Sequence, residues 1–132
     1  MRVALVFLID LEKLRCIDID GAVVKGLTWD PAGQYLAVQV FIPLTKSDDK
    51  SVRILRTSDW EEQIEITSNF TQAASTTFFR RLSWSPDGGS IVTANGESGS
   101  LCIAPIIYRQ DWECKNSLVG HQAPVEVAVS SN

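Results

Sequence analysis

The chain is poor in the residues that most site chemistry needs. It has one histidine, His121, and three cysteines, Cys16, Cys102 and Cys114, among 132 residues. A lone histidine leaves the usual zinc and iron ligand sets short. The cysteines are odd in number and none stands in Cys-x-x-Cys spacing, so neither a zinc site nor a disulfide framework is indicated. Reduced thiols in an intracellular protein are the simplest account. Basic blocks are lacking as well. Lys and Arg number 12 against 16 Asp and Glu, and the longest basic run is Arg80-Arg81. That excludes the electrostatic footprint of a nucleic-acid binder, and no direct sequence-specific contact with nucleic acid is expected. Long apolar runs are missing too. Val3 to Ile9 ends at Asp10, is far too short to span a bilayer, and has no small-residue cleavage site close behind it. It reads as a buried strand, and no membrane partner is expected. No segment shows a helical period with caps.

What the chain does have is a self-match. Val24-Lys25-Gly26-Leu27-Thr28-Trp29-Asp30-Pro31-Ala32-Gly33 is matched by Phe79-Arg80-Arg81-Leu82-Ser83-Trp84-Ser85-Pro86-Asp87-Gly88, 55 residues on. A weaker third start, Val125, follows Gly120-His121 after a further 46 residues. Such self-similarity marks one structural unit used repeatedly. In each copy Pro ends a ladder because it lacks an N–H, and Gly supplies a turn with positive φ.

Four short strands are predicted per unit. They are 24–29, 35–39, 52–56 and 63–67 in the first, and 79–84, 90–95, 101–107 and 116–119 in the second. Turn signals separate them, including Gly96 to Gly99. Val3–Ile9 and Leu14–Ile19 read as the last strands of a preceding unit, and Val125–Val129 as the first strand of a following one. Four-stranded units at roughly 40–45-residue spacing are the blades of a WD-repeat β-propeller; the second interval fits and the first is long, its excess lying at 40–46 and in the Ser/Thr-rich loop 68–77. The expected fold is therefore all-β: a partial WD-repeat propeller with about two complete blades, half a preceding blade and a stub. Residues 1–20 end one blade, 23–67 form the next with an insertion at 40–46, 78–119 form another, and 125–129 begin the last.

The general WD signature is worn. Asp10 ends a strand as the Asp of a Trp-Asp pair does, but Ile9 replaces the Trp. Gly120-His121 stands before an innermost strand, with Asp20-Gly21 in the earlier equivalent place. Asp48 and Asp49 fall in a tight turn. Within the repeats the strings are more specific: Lys25-Gly26-Leu27-Thr28-Trp29-Asp30-Pro31, then Ser47-Asp48-Asp49-Lys50-Ser51-Val52-Arg53-Ile54, then Phe78-Phe79-Arg80-Arg81-Leu82-Ser83-Trp84-Ser85-Pro86-Asp87-Gly88, and last Gly120-His121-Gln122-Ala123-Pro124-Val125-Glu126-Val127. From about Leu11 to Val127 the chain resembles the N-terminal propeller of the HIRA/Hir histone-chaperone family. It departs from the family in three ways. Val40 to Lys46 interrupts a tight strand-turn-strand passage, either as a retained intron fragment or gene-model error or as a real loop insertion. Residues 129–132 lack the aromatic and the Pro of the pattern. Most of the propeller and the later regions of the family are missing.

The resemblance implies a nuclear scaffold in replication-independent nucleosome assembly and in repression of histone-gene transcription. Its partners would be subunits of a histone chaperone complex, with histones reached directly or indirectly. In the family, binding of the smaller histone-handing chaperone and self-association belong to regions absent here. The competing readings are another WD-repeat chromatin-assembly scaffold, a truncated gene product without function, and a propeller enzyme. The last lacks support: His121 sits in the Gly-His turn, Gly96-Glu97-Ser98-Gly99 lacks the Lys and helix of a phosphate loop, and Asp48-Asp49 and Glu61-Glu62 read as solvated pairs. No catalytic, metal or cofactor residue is assigned.

Candidate partner contacts are Phe78, Arg80, Arg81, Trp60 and Trp112. Trp is enriched at binding hot spots, although packing over the outer strand explains Trp60 and Trp112 as well. Strand alternation puts Arg80 and Arg81 on opposite faces, so one must meet the interior or a blade edge and need an acidic partner. Trp29, Asp48, Trp84, Asp87, Gly120 and His121 are read as structural repeat residues, with both Trp29 and Trp84 in the core and His121 tying a blade. An open piece of propeller leaves two blade faces uncovered, so the chain alone is expected to be marginally stable or to self-associate. A sharp, reversible thermal transition from a monodisperse monomer contradicts this.

Overall fold

The computed structural model describes residues 2–6, 13–18, 22–42, 49–71, 73 and 80–131. It contains eleven strands, and no helix, among the described residues. Strands β1 (Arg2–Val6) and β2 (Lys13–Asp18) pair antiparallel as a sheet of their own. Strands β3 (Val23–Trp29), β4 (Tyr35–Ile42), β5 (Asp49–Arg56) and β6 (Glu62–Ile66) form a four-stranded antiparallel meander, the first blade. Strands β7 (Ser83–Trp84), β8 (Ser90–Val92), β10 (Leu101–Tyr108) and β11 (Glu113–His121) form the second, with β9 (Gly96–Ser98) added on β10.

The repeat is visible in the turns. After β3, the Asp30 N–H donates to Tyr35 O at 2.9 Å and Gly33 N–H to Asp30 O at 2.8 Å. After β7, Ser85 N–H donates to Ser90 O at 2.8 Å and Gly88 N–H to Ser85 O at 2.9 Å. Gly33 and Gly88 have φ of 73° and 70°, a region that side chains with a Cβ rarely enter. The outer hairpins also repeat. Trp60 and Trp112 sit at φ 64° and 57°, and their N–H groups donate to Arg56 O and Tyr108 O, both at 2.8 Å. In each, an Asp two residues before a Glu accepts that Glu's N–H: Asp59 from Glu61 at 3.0 Å, Asp111 from Glu113 at 3.1 Å.

Strand register decides which side chains meet. In the first blade Ala37 lies opposite Ile54, and Ile54 opposite Ile64; one step along, Gln39, Val52 and Ile66 line up. In the second blade Trp84, Ile91, Ile107 and Cys114 line up in the same way. Ala37, Val52, Ile54, Ile66 and Phe70 from the first blade pack with Leu82, Trp84, Ile91 and Ile107 from the second in one core cluster. The back of one blade thus rests on the front of the next. The other two faces carry separate clusters: Leu36, Val38, Val40 and Leu55 on the front of the first blade, and Val92, Ala94 and Ala104 with Val125 and Ala128 on the back of the second.

The inner strands are joined directly. Arg80 N–H donates to Lys25 O at 3.1 Å, and a Cβ on Gly26 would lie 1.9 Å from Arg80 O, so only glycine permits this approach. The next unit repeats the arrangement. Arg81 and Val127 form a parallel bridge, with Arg81 N–H to Glu126 O at 2.8 Å and Ala128 N–H to Arg81 O at 2.9 Å.

Four expectations change. Strand β4 runs past 39 into the insertion: Val40, Phe41 and Ile42 pair with Ser51, Lys50 and Asp49 and lengthen the β4–β5 hairpin, and Val40 is fully buried. The remainder of that insertion, 43–46, lies outside the described residues, as does Asp48. Gly96–Ser98, expected as a turn, is a strand, because the second strand of the blade breaks in two opposite Pro105. Proline cannot donate to a ladder, and Thr93 N–H reaches Pro105 O at 2.9 Å across the resulting bulge. Strand β11 begins at Glu113 rather than 116. Finally, Trp84 is 5% exposed but Trp29 is 45% exposed, so the two do not share a core role. Trp84 lies in the seam between blades, whereas Trp29 lies on the front of the first blade.

Candidate partner-docking surface

The seam is closed by polar contacts as well as apolar ones. Gln39, buried on the back of the first blade, accepts from Ala94 N–H at 3.3 Å and donates its amide to Ala94 O. Ala94 lies in the bulge opposite Pro105, where the ladder leaves its backbone groups free, and the Gln39 amide satisfies both across the seam. Buried backbone groups without partners cost roughly 1–3 kcal/mol each, so this side chain is tightly constrained.

A second latch lies nearer the surface. The carboxylate of Asp30, fully buried, accepts from Gln34 N–H at 3.0 Å and Ala32 N–H at 3.3 Å and lies 3.1 Å from Arg109 Nη1. Arg109 also donates to Gln34 Oε1 and stacks over Tyr35 at 5.0 Å and Trp84 at 5.8 Å. Asp30 belongs to the turn after β3 and Arg109 to the hairpin after β10, so the ion pair crosses the seam. Neither stood out in the sequence. Asp30 looks like an ordinary turn residue, and its partner is 79 positions away.

The candidate contact residues divide accordingly. Trp112 is half-buried, edge-on to Trp84 at 6.2 Å and to Tyr35 at 5.2 Å, and so caps the seam. Trp60 repeats the geometry with Trp29 at 6.1 Å and an interplanar angle of 81°, against 83° for the Trp84–Trp112 pair. The outer tryptophan of each blade thus packs on the inner one. Arg80 is buried, with its guanidinium 5.6 Å from the Phe41 ring, and burial pushes its pKa down. It is not a surface docking residue. Arg81 is exposed, as alternation requires, and its backbone carries the bridge to Val127. Phe78 lies outside the described residues.

Asp87 is exposed in the second blade's inner turn. Hydrogen bonds from the Ser85 hydroxyl and Gly89 N–H hold its carboxyl below the usual carboxylate range. Gly120 and His121 are exposed at the end of β11, Gly120 with φ 109°. Among the described residues His121 makes no side-chain hydrogen bond, so the blade tie expected of it is not formed within them.

Two antiparallel meanders, packed back to front and joined at their inner strands, define a partial WD-repeat β-propeller. No family model matches the chain. It is 44% identical over 117 residues to a protein named HIR1 from Cryptococcus neoformans var. neoformans serotype D. It is 44% identical over 120 residues to HIR1 of Mycosarcoma maydis, and 40% over 116 residues to hir1 of Schizosaccharomyces pombe. These matches take in 89%, 91% and 88% of the chain, but only 12%, 11% and 12% of the relatives' own length. These matches are consistent with a fragment of the HIRA/Hir family, and the chain spans about an eighth of the length of the relatives it matches.

The latch makes a direct prediction. Arg109→Met leaves the Asp30 carboxylate buried without its cation and should cost about 2 kcal/mol, discounted because Arg109 is partly exposed. Adding Asp30→Asn should recover much of that loss in urea unfolding. Equal stability of wild type and Arg109→Met contradicts the latch.

Proposed function

We propose that the chain is scaffold from a histone chaperone subunit that acts in replication-independent nucleosome assembly and represses histone-gene transcription in the nucleus. The observation that carries this reading is the 40–44% identity to HIR1 proteins along nearly the whole chain. The architecture supports it. Blades joined by buried latches make a rigid surface, which suits docking of other subunits rather than turnover of a substrate. The role is non-enzymatic, and the partners are subunits of the chaperone complex, with histones bound directly or through them.

Affinity purification of a tagged protein carrying this sequence, from nuclear extract, should recover chaperone subunits and histones. Recovery of folding chaperones alone, or of the replication-coupled assembly factor instead, contradicts the proposal.

A further inference from the structure

We draw no further inference here: the strongest candidate, the groove between the outer strands of the two blades lined by Ile64, Ile66, Trp112 and Cys114, is an unpartnered apolar face, and nothing in the structure shows what covers it.

Discussion

The structure depends on one contact: the back of the first blade against the front of the second. The cluster in that seam is the one that both sheets build together. Ala37, Val52, Ile54 and Ile66 are buried only because Trp84, Ile91 and Ile107 lie across from them. Burial of apolar area at roughly 25 cal/mol per Å2 is the main stabilising term available to such a seam. The seam is non-directional by itself, and the polar latches give it register. Gln39 fits one backbone position, Ala94, and Asp30 fits one guanidinium, that of Arg109.

The parts of the unit that recur were legible in the sequence because they are local. Trp-x-Pro-x-Gly specifies a turn by proline's missing donor and glycine's positive φ, and both turns form as read. The four-stranded count followed from the same punctuation in the first blade, whereas the second sheet has five strands because its second strand breaks opposite Pro105. The opposite placement of Arg80 and Arg81 followed from alternation. What was not legible depends on pairing between units. Nothing near Trp29 distinguishes it from Trp84. The difference lies in which face each blade presents and what rests on it. Gln39 reads as a polar residue in a strand, and only the bulge opposite Pro105, far along the chain, gives it a partner. The fate of Arg80 likewise required knowing that its side chain turns inward toward Phe41.

The candidate site shifts in character as a result. The tryptophans first attractive as contact residues are committed to packing: each outer ring is edge-on to an inner one, in nearly identical geometry in both blades. The most exposed apolar side chains sit elsewhere, at Leu101 on β10, on β11 and at Val127 and Val129. A repeat fold separates these duties naturally, since inward faces hold blades together while edges and outer turns vary freely.

The claim that the two blades stand or fall together is tested most directly by native-state amide exchange followed by NMR, comparing wild type with Gln39→Leu. The account predicts that protection falls at Ile54 in the first blade and at Ile91 in the second by the same amount, about 1–3 kcal/mol for the lost bonds to Ala94. Loss of protection in one blade while the other keeps its wild-type exchange rates would contradict it.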